Sequence, residues 1–259
     1  MLIIYSEDPN FKPIEFGTTY DDITYVNIND NSLFNSIDDT IYKLSGLPSH
    51  DFVHDSRIKD VIIKNVYTSY IYACSIIKGR WIDAEDIIGM SNMNCYYAKD
   101  VLKCRWSDIG KEWVEDIIGK CPDNAHRYAY YVLKCRWSDI GKEWVEDIIG
   151  RDPEQAYYYA KDVLHCRWAD IGKPEVEDVI GKNPEWACLY AKDVLKKRWA
   201  DIGKPEIEDV IGKDIIDSIY YAKDVIKHRW VYVGKPEIED KINDEPYWAN
   251  QYNGFFLWE

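Results

Sequence analysis

Six Arg-Trp pairs carry the most repetitive chemistry in this sequence of 259 residues: Arg80-Trp81, Arg105-Trp106, Arg136-Trp137, Arg167-Trp168, Arg198-Trp199 and Arg229-Trp230. A guanidinium beside an indole could build a cation-binding or anion-binding aromatic pocket, and six would make a row of them. The same pair could equally be a packing device. Ten residues after each arginine, from Arg105 onward, stands a glutamate: Glu115, Glu146, Glu177, Glu208 and Glu239. Arg80 instead meets Glu85 and Asp86. An acid at a fixed distance in every copy reads as an ion pair that fixes structure. Trp106, Trp137, Trp168, Trp199 and Trp230, with Arg136, Arg167 and Arg198, are therefore assigned to the framework.

Other reactive side chains form no constellation. The five histidines, at 50, 54, 126, 165 and 228, show no metal-ligand spacing. His165 and Cys166 are adjacent on a helical stretch, so their side chains diverge. There is no P-loop, no GxGxxG and no GxSxG. The seven cysteines include no CxxC, and Cys104, Cys135 and Cys166 share one register, so free thiols are expected. Carboxylate pairs abound, but each recurs in several copies, whereas an active site occurs once. The expectation is no enzyme, no cofactor and no metal.

The elements behind these residues repeat. Val101–Gly119 and Val132–Gly150 are identical over 19 residues. The tryptophans of the Arg-Trp pairs lie 25, 31, 31, 31 and 31 residues apart, a period that points to stacked supersecondary units. In the unit from Asn183 to Lys213, Asn183 suits an N-cap and Pro184 the first helical position. Ala187, Tyr190, Ala191, Val194, Leu195 and Arg198 follow at helical spacing, predicting a helix A of about four turns. Gly203 breaks it, Pro205 starts a two-turn helix B, and Gly212 sits where a left-handed cap is expected, as do Gly119, Gly150 and Gly181. The 25-residue interval shortens loops and keeps helices.

The sequence thus predicts a mainly α protein: a right-handed α-solenoid of about seven helical hairpins with a small N-terminal β-element. Residues 1–31 are expected to be a β-element acting as a cap or docking piece, 32–65 a degenerate first repeat, 66–242 the array, and 243–259 a terminal half-repeat. No apolar run reaches membrane-spanning length, and "MLIIYSEDPNF" lacks a signal peptide's basic start.

Net charge is −14. Residues 1–60 carry 11 acids and 4 bases, 231–259 carry 6 and 2, and the middle 29 and 26, so the acidity sits at the ends. Such a chain should not bind nucleic acid directly. Helix A carries lysines and tyrosine clusters, helix B acids. Two surfaces are candidates: outward tyrosines on helix A (Tyr97, Tyr130, Tyr158, Tyr190, Tyr221) and an acidic ladder on helix B (Glu146, Glu177, Glu208, Asp209) for a partner with a basic surface.

The unit "YAKDVLKKRWADIGKPEIEDVIGK" resembles tandem helical repeats in uncharacterised proteins of tailed bacteriophages and giant viruses. The match spans about 66–255 and is closest at Tyr190-Ala191, Asp193-Val194, Arg198-Trp199 and Glu208-Asp209. The inserted "SDIGK" departs from the usual pattern. The resemblance implies a viral source and a helical-repeat fold, and brings no activity. The expected function is a non-enzymatic viral protein, in the host-cell cytoplasm, that binds and inhibits or sequesters a host protein, a defence component among the candidates. An acidic nucleic-acid mimic and a virion scaffold remain alternatives, and dimerisation through the N-terminal element stays open.

Overall fold

In the computed structural model the described residues are 62–256, together with three short extended stretches, Leu2–Tyr5, Thr19–Tyr20 and Ile23–Val26. The expected β-element of residues 1–31 and the degenerate repeat of 32–65 lie for the most part outside them. The chain divides into two compact units, Met1–Ile118 and Gly119–Glu259.

The described part is mainly helical, with one packing pattern repeated. In the first unit the helices are α1 (Val66–Tyr72), α2 (Glu85–Gly89), α3 (Asn94–Tyr97) and α4 (Glu112–Ile118). The second unit holds α5 (Pro122–Tyr128), α6 (Glu143–Ile149), α7 (Pro153–Tyr159), α8 (Pro174–Ile180) and α9 (Pro184–Tyr190). It continues with α10 (Glu206–Ile211), α11 (Ile215–Tyr221), α12 (Pro236–Asn243) and α13 (Pro246–Phe255). Odd-numbered helices are the A members and even-numbered the B members. Within the second unit each A helix packs on its own B helix and on the next A helix.

Local chemistry starts these helices as the sequence suggests. Asp152 and Asn183 accept from the backbone N–H of Gln155 and Trp186, capping α7 and α9 ahead of Pro153 and Pro184. Their ends differ from expectation. Helix A is not a uniform α-helix of four turns. Its last turn is a π turn of five residues, Ala129–Leu133 or Ala191–Leu195 for example, closed by bonds such as Lys134 N–H to Ala129 O at 2.9 Å. The residue after each π turn is left-handed, yet none is glycine: Lys78, Lys103, Lys134, His165, Lys196 and Lys227 have φ of 53–62°. At the five lysine positions a cation faces the negative end of the helix dipole, which offsets part of the strain.

The glycines at the ends of the B helices also need a different explanation. Gly150, Gly181 and Gly212 are right-handed, with φ of −64°, −63° and −60°. They are small because the next repeat comes close. A Cβ on Gly181 would lie 2.4 Å from Ile207 Cδ1, and on Gly150 2.7 Å from Val176 Cγ2. Gly181→Ala is expected to destabilise the second unit by about 1–3 kcal/mol through overpacking, despite alanine's better helix propensity. Ile207→Val in the same chain should recover part of the loss. Urea unfolding of the three proteins checks this, and a stabilised single variant would refute the close-approach explanation.

Candidate functional site

Within each unit the Arg-Trp pairs build polar nodes around a buried carboxylate, and in the second unit a tyrosine ties each node to the next repeat. In the repeat of α9 and α10, Arg198 grips Glu208 with two bonds, Nε to Oε1 at 3.0 Å and Nη2 to Oε2 at 2.7 Å. The Trp199 indole N–H donates to Ala187 O on α9 at 2.9 Å, fixing the ring under its own helix. The Trp199 backbone N–H donates at 2.9 Å to the Tyr221 hydroxyl of the following repeat, which itself donates to Glu208 Oε1 at 3.0 Å. The Tyr190 ring stacks on Trp199 with centroids 5.5 Å apart and planes at 20°. Tyr159 and Tyr190 make the same relay to Trp137 and Glu146 and to Trp168 and Glu177, and Tyr252 closes it over Trp230 and Glu239. In the first unit Arg80 grips Glu85, Arg105 grips Glu115, and the Trp81 N–H donates to Tyr97.

Electrostatics follow from burial. The carboxylates of Glu85, Glu115, Glu146, Glu177 and Glu208 are fully buried. Burial alone would raise the Glu146 carboxyl, but the hydrogen bonds and charge of Arg136 and the donors of Ser138 outweigh it and hold it below the usual carboxylate range. Tyr159, Tyr190 and Tyr221 are pushed well above the usual phenol range, by burial first and then by the charge of Glu146, Glu177 and Glu208 respectively, so they stay protonated donors.

These positions correct both candidate surfaces. Tyr97, Tyr190 and Tyr221 are fully buried and cannot touch a partner. Glu146, Glu177 and Glu208 are equally buried and engaged, so they form no exposed acidic ladder. Asp209 is exposed but held by Lys235 of the next repeat, as Asp178 is by Lys204 and Asp147 by Lys173. Trp106, Trp137, Trp168, Trp199 and Trp230 are fully buried, and Arg136, Arg167 and Arg198 each hold their glutamate. The signal missed in the sequence was a tyrosine 22 residues after each tryptophan from Trp137 onward: Tyr159, Tyr190, Tyr221 and Tyr252.

Tyr130 and Tyr158 remain at the surface, and they meet in one place. Tyr130 and Tyr131, in the π turn after α5, are 42% and 40% exposed, with rings in edge contact at 4.8 Å. The His126 ring lies between Tyr130 and Tyr158, stacked on Tyr158 at 5.8 Å and 15° and on Tyr130 at 6.4 Å and 27°. Trp186 closes the row against Tyr158 at 5.7 Å. Beneath Tyr130 is a recess of about 280 Å³ reached by His126, Gln155, Asp123, Glu154 and Asp162. Burial, the leading effect, lowers the His126 pKa despite Asp162 and Asp123, keeping the ring neutral at pH 7.

A second depression of about 760 Å³ lies between α9 and α11, lined by Glu185, Asp214, Asp217 and Cys188. Burial first, then Asp214 and Glu185, raises the Asp217 carboxyl to about 6. A carboxyl raised on folding is held more tightly as the protonated form, so its contribution to stability falls as pH rises from its ordinary value through about 6. Asp217→Asn is expected to leave stability at pH 4 near wild type and to raise it at pH 7. Urea midpoints at the two pH values check this, and an equal shift at both would refute it. Burial also lifts the Cys188 thiol to about 12, so it is unreactive there.

All seven cysteines are free thiols. Among the described residues no group of three or more His, Cys, Asp or Glu could hold a metal ion, and no helix is long and apolar enough to cross a membrane. No protein-family model, curated protein or solved structure matches the chain.

Proposed function

We propose that the chain is a non-enzymatic repeat protein of viral origin, an α-solenoid of about seven hairpins with a small N-terminal β-element. It engages a protein of the host cell and blocks or sequesters it, a defence component being the kind of target meant. One observation carries the binding reading. The polar groups that recur in every repeat are engaged inside the repeats, while the exposed Tyr130 and Tyr131 break the repeat pattern where four other A helices carry Lys-Asp. Tyrosine at an exposed, non-repeating place is the residue type that anchors protein interfaces. The viral origin and the host target rest on the sequence resemblance.

The acidic nucleic-acid mimic is the weaker reading, because Asp147, Asp178 and Asp209 are each neutralised by a lysine of the next repeat. The test is capture of host proteins on the immobilised full chain, followed by titration of each purified candidate. Saturable binding at micromolar concentration that weakens when Tyr130 and Tyr131 are changed supports the reading. No saturable partner overturns it.

A further inference from the structure

We infer that the recess beside Tyr130 and Tyr131 receives the guanidinium of an arginine side chain presented by a partner protein. The inference rests on the protein-binding reading above and names the chemistry of the contact.

The argument starts from the repeat. Four A helices run into the sequence Ala-Lys-Asp-Val at their π turns: Lys99-Asp100, Lys161-Asp162, Lys192-Asp193 and Lys223-Asp224. In the second unit these residues form a ladder from repeat to repeat. Lys161 Nζ lies 2.9 Å from Asp193 Oδ2, and Lys192 Nζ 2.7 Å from Asp224 Oδ2. In the π turn after α5 the two positions are Tyr130 and Tyr131. Asp162 is therefore the rung whose lysine has been replaced by an aromatic ring. Asp162 is met instead by the neutral His126 ring, whose Nε2 is 3.5 Å from Asp162 Oδ2 but makes no hydrogen bond.

One further atom is unsatisfied. His126 and Gln155 are more than nine-tenths buried, and neither His126 Nε2 nor Gln155 Oε1 has a hydrogen-bond partner. A buried acceptor without a donor is costly. Three carboxylates border the recess, Asp123, Glu154 and Asp162, against the single guanidinium of Arg127, which is already paired with Asp123 at 2.8 Å. Lys134 lies 5.8 Å from the centre of the Tyr130 ring, and the His126 ring stacks on Tyr130 at 6.4 Å, so an incoming group would meet Tyr130 and Tyr131 at their exposed edges.

A volume of about 280 Å³ suits one side chain rather than a larger ligand. Of the two basic side chains, arginine fits better. Its flat guanidinium stacks on tyrosine and offers forked donors to a carboxylate and an amide oxygen, which a lysine ammonium does less well. A phosphate or nucleic acid would meet the three carboxylates and be repelled.

The experiment uses the full chain and a fluorescein-labelled eight-residue peptide carrying two arginines in a Gly-Ser background, followed by anisotropy. Matched peptides carry lysine or glutamate instead. The variant Tyr130→Lys/Tyr131→Asp writes the Lys-Asp of the other four A helices into this π turn, so it should fold and close the rung from within. The expected result is saturable binding of the arginine peptide by wild type, weaker binding of the lysine peptide, and none of the glutamate peptide. Affinity should fall with added salt, and the double variant should lose tenfold or more. Equal binding by wild type and variant, or no saturable binding by wild type at millimolar peptide, overturns the site. A captured host protein retained by the variant also overturns it while leaving the protein-binding reading intact. Peptide binding without any host partner supports the site and sinks that reading instead.

Discussion

Truncating Trp168 to alanine lowers the unfolding free energy of the second unit by about 4 kcal/mol. The indole is fully buried, so its removal leaves a cavity as well as losing transfer free energy. It also removes the ring that stacks on Tyr159 at 5.5 Å and the N–H that satisfies Ala156 O at 2.8 Å. Trp168→Phe separates these effects. It keeps the stack and most of the volume but takes one of two donors from the Ala156 carbonyl, which still accepts from the Ala160 N–H, at a cost of about 0.5–1.5 kcal/mol. Urea unfolding followed by circular dichroism measures both, and a loss under about 1 kcal/mol for the alanine variant would refute the placement of this ring at the centre of the repeat.

The second large effect belongs to the carboxylate beside it. Glu177→Ala should cost about 2–4 kcal/mol, because it strips the partly exposed Arg167 of its anion and the buried Tyr190 hydroxyl of its acceptor. The cost is that of an unpaired group left behind, more than the worth of the pair itself. Tyr190→Phe removes the relay from the other side by losing the hydroxyl that accepts from Trp168 N–H at 3.1 Å. The double variant Glu177→Ala/Tyr190→Phe should then be less damaged than the sum of the two, by about 0.5–3 kcal/mol of coupling. Strict additivity in a double-mutant cycle would mean that the node is a set of independent bonds.

The period, the N-caps and the Arg–Glu spacing were all readable from the residues, because each depends on side chains within one repeat. What was misread lies between repeats. The tyrosines of helix A looked alike as a cluster, yet the one directly before the alanine, such as Tyr190, is sealed under a tryptophan, while Tyr130, after the alanine, is open, a register that the spacing to the tryptophans marked and that was passed over. Gly181 looked like a helix cap because glycine after a helix usually is one. Its true constraint is Ile207, 26 residues further on, and no local rule reaches that far. The π turn had no local mark at all, since a lysine, or His165 in one copy, holds the left-handed position that glycine normally announces. At the candidate site, the departure "AYYVL" from "AKDVL" was visible as text, but that it leaves Asp162 without its lysine depended on seeing Lys161 reach Asp193.

The relay through tyrosine has a genetic corollary. Tyr159, Tyr190 and Tyr221 each reach one repeat back to equivalent acceptors, so excising residues 152–182 would deliver Tyr190 to Trp137 and Glu146 in place of Tyr159. Every plug would still find its socket. A gene encoding such a chain can gain or shed whole thirty-one-residue cassettes by unequal crossing-over without leaving a loose end. The 19-residue identity of two neighbouring segments is the scar that such an event would leave.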